Sequence, residues 1–214
     1  PTIGKYRRRR LNRIPSERIP INLRAVDRAI AESGPSAPDY QTHRSRPAAG
    51  VLTLSQALLH EGSDKTTVHN YGEFYDGLVE TLRPRRVLEV GVFRGASLRA
   101  WRHVGYPVEA IGVDRQAVPD LPVIVATAPD FSPVLQQLAG QQFDLIIDDG
   151  SHVLQHQQAA VQQLWPLLRV GGVFVIEDIQ SELDAYEFAR EGGWTFEDWR
   201  DRGRYDDLIA WRTK

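Results

Sequence analysis

From Arg86 onward, short uninterrupted apolar runs alternate with stretches of helical spacing. Arg86 to Val92 reads as a buried strand and Ala96 to Val104 as a helix. Val108 to Val113 and Val123 to Ala126 form the second and third strands, and Pro133 to Leu138 the next helix. Phe143 to Ile147 is the fourth strand. A helix follows from Val153 to Leu168, with Val153, Val161, Leu164, Trp165 and Leu168 on one stripe. Val173 to Ile176 closes the series as the fifth strand. Strands apolar throughout, alternating with helices, predict a parallel sheet covered on both faces. The tail differs: Trp194, Phe196 and Trp199, then Leu208, Ile209 and Trp211, flank the turn-prone Asp201-Arg202-Gly203-Arg204. That pattern predicts a terminal antiparallel hairpin. The expected architecture is an α/β, doubly wound, Rossmann-like sheet, mostly parallel with an antiparallel edge.

The first 50 residues follow another rule. Pro15, Pro20, Pro35, Pro38 and Pro47 punctuate them, and only Asn22 to Glu32 has helical spacing before Ser33-Gly34-Pro35 stops it. A second helix is expected near Thr53 to His60. We therefore divide the chain into a basic arm, residues 1–60, and a body, residues 61–214.

Composition narrows the picture. An apolar share of 42% and a charged share of 25% over 214 residues match a folded domain with a real core. No stretch approaches the roughly 18 apolar residues of a membrane span. With no cysteine there is no disulfide, thiolate zinc site or cysteine nucleophile, so any metal must sit on oxygen or imidazole. The Arg-rich start lacks the apolar segment of an export signal, and a cytoplasmic location is expected. The net charge of −2 conceals an asymmetry: residues 1–50 carry +7 and the rest −9. Such an arm suits phosphate or carboxylate contacts, whether on nucleic acid, on a partner or on the chain's own acidic body. The last is the simplest use, because only Tyr6 and Tyr40 interleave the basic residues for base stacking.

Chemistry concentrates at strand ends. Glu89-Val-Gly91-Val-Phe-Arg-Gly95 ends the first strand and opens a helix, so its glycines permit close backbone approach beside free helix N–H groups. The G-x-x-x-G spacing differs from the G-x-G-x-x-G of dinucleotide sites. Asp114, ending the next strand, is placed to bind both hydroxyls of a ribose, which argues for a nucleoside ligand without pyrophosphate. These residues resemble class I S-adenosylmethionine-dependent methyltransferases, whose sheet is seven-stranded. The resemblance implies Gly91 and Gly95 beneath the methionyl part, Asp114 on the ribose, and Glu89 ordering the loop and its ligand. The bland alternative is a glycine-rich connection of any doubly wound domain.

Two more strands end in paired acids, Asp148-Asp149 and Glu177-Asp178. If the strands are neighbours, about 4.8 Å apart, four carboxylates crowd one edge. A hard divalent ion such as Mg²⁺, Ca²⁺ or Mn²⁺ relieves that crowding. The competing assignments are Asp148 serving the loop or cofactor, Ser151 capping the next helix, and Glu177 pairing with an arginine. His152, three residues past Asp149, can take a proton from a substrate hydroxyl, or merely cap or pack.

Asp149-Gly-Ser-His152 and Glu177-Asp178, with Ser63-Asp64-Lys65 and His69-Asn-Tyr71 upstream, look like the metal-dependent sugar O-methyltransferases of macrolide biosynthesis and their cephalosporin-modifying relatives. That resemblance covers about Gly62 to Lys214. It implies Asp149, Glu177 and Asp178 as Mg²⁺ ligands, His152 as base with Asp149 beside it in the catalytic group, and Lys65 and Tyr71 in a segment closing over the cofactor. Asp148 is assigned to the cofactor side. The expected partner is a small-molecule hydroxyl acceptor, with self-association left open. Two competing functions use the arm: a catalytically silent scaffold, and methylation of nucleic acid.

Overall fold

The computed structural model describes residues 51–201 and 203–214. The expected helix Asn22 to Glu32 and most of the basic arm lie outside the described residues. Three helices lead in: α1 (Leu54–Glu61), the one-turn α2 (Asp64–Thr67) and α3 (Gly72–Leu82). Thr53 and Gln56 form a capping box at the start of α1, and Gly62 takes up the left-handed conformation that ends it (φ 73°). The alternating body follows as β1 (Arg86–Val90), α4 (Ala96–Ala100), β2 (Glu109–Asp114), β3 (Val123–Val125), α5 (Ser132–Gln137), β4 (Phe143–Asp148), α6 (Leu154–Leu164), β5 (Leu168–Ile176), α7 (Glu182–Glu191), β6 (Thr195–Asp198) and β7 (Leu208–Thr213).

The sheet is seven-stranded in the order β3-β2-β1-β4-β5-β7-β6. The first five strands run parallel, while β7 pairs antiparallel with both β5 and β6. This is the mostly parallel, doubly wound α/β sheet with an antiparallel edge that the pattern predicts. Because the chain winds outward from β1 and then crosses back to β4, β1 and β4 flank the point where the winding reverses. Open α/β sheets bind ligands there, beyond the carboxyl ends of their strands.

Alternation along each strand divides the core. Leu88, Ile146 and Phe174 face α5, α6 and α7, packing with Val134, Ala160, Leu164 and Phe188. Val87, Leu145, Ile147 and Val175 face the other way, against Leu54 and Leu58 of α1 and Phe74, Tyr75 and Leu78 of α3. Helix α1 thus packs with the body, although all of it but Glu61 falls within the segment assigned to the arm.

Two helix expectations need correction. The helix expected from Val153 to Leu168 ends at Leu164, where Pro166 shapes a 3₁₀ turn (Trp165–Leu167) and Leu168 already begins β5. Its buried face is Gln157, Ala160 and Leu164, and Val153, expected on that stripe, is 43% exposed. The helix expected from Ala96 to Val104 stops at Ala100.

Candidate active site at the switch point

Ladder register brings the acids level. Val90 pairs with Asp148, and Asp148 with Ile176, so the residues just past these three strands share one rim. The rim is held by backbone bonds: Asp149 N–H donates to Val90 O, and Glu177 N–H to Asp148 O, both at 2.9 Å. Gly91 lies directly beneath, where an added Cβ would fall 1.9 Å from the Asp149 carbonyl oxygen, with φ at +84°. Only glycine fits. Gly95, also left-handed, caps the N-terminus of α4, and a Cβ there would meet Leu121 at 2.1 Å.

Asp114 shapes the same loop. One of its oxygens accepts from the Val92 and Phe93 N–H groups, each at 3.0 Å, and the other from Gln116 N–H at 3.3 Å. The residue assigned to a ribose therefore first fixes the backbone that would surround it.

Strand alternation sends Glu89 and Glu177 to the face covered by α1 to α3, and from there Lys65 reaches in. Its ammonium donates to Asp149 Oδ2 at 2.5 Å and to Glu177 Oε2 at 2.7 Å, and stands 3.3 Å from Glu89 Oε1. Burial works against the charge of Lys65, but Asp149, Glu177 and Glu89 outweigh it and hold the ammonium's pKa well above the usual lysine range. Glu89 is fully buried, and neither of its oxygens is matched by a hydrogen bond. Burial pushes its pKa up, with Lys65 acting in the opposite sense.

The remaining carboxylates are distributed unequally. The Tyr75 hydroxyl donates to Glu177 Oε1, so both Glu177 oxygens face protein donors. Burial raises the Glu177 pKa well above the carboxylate range despite Lys65. Asp178 accepts from the Tyr71 hydroxyl on Oδ1, and its Oδ2 lies 3.8 Å from His152 Nε2. Burial raises its pKa too, against the Tyr71 hydrogen bond. Asp148 points to the opposite face of the sheet and accepts from Gly150 N–H at 3.2 Å, with burial pushing its pKa up to about 7. His152 and Asp178 both have left-handed backbones (φ 58° and 54°), uncommon for side chains of their size.

Ligating atoms of Asp149, His152 and Asp178 all lie within 4.8 Å of one another. Two carboxylates this close suit a hard divalent cation, and the imidazole beside them suits a proton acceptor. Glu177 stands beside this trio but turns its carboxylate to Lys65 and Tyr75. The orphaned Glu89 carboxylate and the buried, unpartnered His152 Nδ1 mark the rim as a place that expects a ligand.

Sequence reasoning overlooked Tyr75 and the supports around it. Tyr75 follows Tyr71 by one helical turn, so α3 and the residue that caps its start carry both hydroxyls to the acids from one face. Gln157 Nε2 donates to the Glu177 carbonyl at 3.0 Å. His69 stacks on Tyr71 and pairs with the buried Asp207 at 2.7 Å.

The sheet order is that of the methyltransferase fold. Residues 88–179 match the family profile described as a methyltransferase domain, and the chain carries the class I S-adenosylmethionine-dependent methyltransferase fold. Its relatives are more particular. It is 34% identical over 147 residues to the 8-demethyl-8-alpha-L-rhamnosyl tetracenomycin-C 2'-O-methyltransferase of Streptomyces olivaceus, covering 61% of this chain and 39% of that protein. It is 32% identical over 137 residues to the L-olivosyl-oleandolide 3-O-methyltransferase of Streptomyces antibioticus, covering 57% and 36%. Among solved structures it resembles the MycE methyltransferase of the mycinamycin biosynthetic pathway in complex with Mg, SAH and mycinamycin VI. That match has a TM-score of 0.52 and 29% identity, over 60% of this chain and 39% of that one. The chain thus spans less than half the length of the curated relatives it matches.

Proposed function

We propose that the protein is a metal-dependent, S-adenosylmethionine-dependent O-methyltransferase acting on a hydroxyl of a sugar-bearing natural product in the cytoplasm. The observation that carries the reading is the meeting of Asp149, His152 and Asp178 within 4.8 Å, beside a loop that admits only glycine at Gly91. Support for the acceptor comes from the relatives named for sugar O-methylation, and for the ion from the Mg and SAH bound in MycE.

The residues fit these groups. The cofactor supplies an activated methyl on a sulfonium, and the ion supplies Lewis-acid charge to the acceptor oxygen. Gly91 and Gly95 leave room for the methionyl part, Glu89 supplies charge beneath it, and Asp114 would bind the ribose while holding the loop. Asp148 lines the cofactor side. Asp149, Glu177 and Asp178 would hold the ion, Glu177 by yielding the oxygen that Lys65 occupies. Tyr75 fixes the direction of Glu177, and Tyr71 fixes that of Asp178. His152 Nε2, turned toward Asp178, receives the acceptor's proton. Holding the acceptor oxygen in line with the methyl group is the larger task, and a rigid rim of strand ends suits it.

The test is release of S-adenosylhomocysteine from S-adenosylmethionine, measured across a panel of rhamnosyl- and olivosyl-bearing acceptors. Turnover is expected with Mg²⁺, background in excess EDTA, and recovery when Mg²⁺ is restored. Undiminished turnover in EDTA rules out the metal. Absence of S-adenosylhomocysteine binding to the folded protein, read by calorimetry, rules out the reaction.

A further inference from the structure

Lys65 is 3% exposed, and the proton transfer proposed above does not use it. Its ammonium meets carboxylates from three neighbouring strand ends: Glu89 of β1, Asp149 past β4 and Glu177 past β5. The contacts are unequal. Asp149 and Glu177 accept hydrogen bonds at 2.5 and 2.7 Å, whereas Glu89 lies at 3.3 Å with no hydrogen bond made. One cation is therefore shared between the acid under the cofactor loop and two of the acids assigned to the ion, and the share is tilted toward the ion.

We infer that Lys65 is a positioning residue that couples the ion site to the cofactor site. The inference rests on the cofactor and metal reading above. A divalent ion drawing on Asp149 and Glu177 competes with the ammonium for both and repels it. The carboxylate left to Lys65 is Glu89, and the ammonium closes on it. That contact satisfies the orphaned carboxylate at the end of β1 and fixes the base of the Gly91 to Gly95 loop. The ion and the cofactor then bind with positive coupling, and by linkage each raises the affinity for the other by the same factor.

Calorimetry on the full chain tests this with three titrations: MgCl₂ alone, S-adenosylhomocysteine alone, and S-adenosylhomocysteine in saturating MgCl₂. In the wild type, Mg²⁺ is expected to tighten S-adenosylhomocysteine binding about fivefold or more. In Lys65→Met the factor falls close to one while both ligands still bind. A wild-type factor of one, or an equal factor in Lys65→Met, overturns the coupling and leaves the cofactor and metal reading standing. A folded Lys65→Met that binds neither ligand also overturns it, because Lys65 would then be part of a single site. Failure of the wild type to bind either ligand overturns the underlying reading instead. If circular dichroism shows Lys65→Met unfolded, Lys65→Met/Glu89→Gln removes the ammonium together with the acid it faces. The same loss of coupling is expected of that pair.

Discussion

Strand β4 has an acid at each end, and the two ends are built on different terms. Near its start, Asp144 accepts from the Arg85 and Arg86 N–H groups at 2.7 and 2.8 Å and from the Arg169 guanidinium. Burial works against its charge, but Arg169 and those two N–H groups win and hold its pKa below the usual range. Past the other end, Asp149 shares one ammonium with Glu177 and Glu89, while Asp148 and Asp178 stand close by. Burial raises the pKa of Glu89, Asp148, Glu177 and Asp178 alike. The first end has more donors than charge, and the second more charge than donors. An acid whose needs are met inside the protein serves the fold, whereas a cluster short of partners is poised for something from outside.

The largest effect expected from breaking this contrast is at His152. His152→Ala should lower turnover by roughly 10²–10⁴ while leaving S-adenosylhomocysteine affinity nearly unchanged. Steady-state rates and calorimetry check the pair of outcomes, and intact turnover removes His152 from proton transfer. Next comes Gly91→Ala, which places a Cβ against the Asp149 carbonyl at a left-handed backbone. It should cost at least about 2 kcal/mol by urea denaturation and abolish S-adenosylhomocysteine binding.

The smallest effect belongs to the satisfied end. Asp144→Asn should cost about 1–2 kcal/mol at neutral pH without altering ligand binding. Because the folded-state pKa of Asp144 lies below its unfolded value, its contribution is present above about pH 4 and is lost as pH falls further. The gap between wild type and variant should therefore close in acid, and a constant gap in chemical denaturation from pH 7 to pH 3 would show that charge is not its source.

Much of this contrast is legible in the sequence. The apolar runs, the Gly91 to Gly95 loop and the paired acids at strand ends follow from local patterns, and strand alternation then decides which acids share a face. The partner of those acids does not. Lys65 is 84 residues from Asp149 and 112 from Glu177, and no local periodicity announces contacts at that separation. Helix α3 is hard to see in the sequence for a nearer reason. Phe74, Tyr75, Leu78 and Leu82 have helical spacing, but Gly72 and Gly77 within the same eleven residues weaken it. Without that helix, nothing in the pattern aims Tyr75 at the acids. The C-terminal strands show a third kind of gap. Both appear in the pattern as a hairpin, but β7 lies inside the sheet and β6 at its edge, an order set by long-range pairing alone.

The left-handed turns at His152 and Asp178 carry a consequence for anyone engineering this protein. Each forces an ordinary side chain into a conformation costing about 1–2 kcal/mol, a cost that glycine would escape. A campaign that selects for heat resistance alone would therefore drift toward glycine at these two positions. It would accumulate robust molecules that have traded away the imidazole and one carboxylate, so heat selection needs a ligand-binding screen beside it.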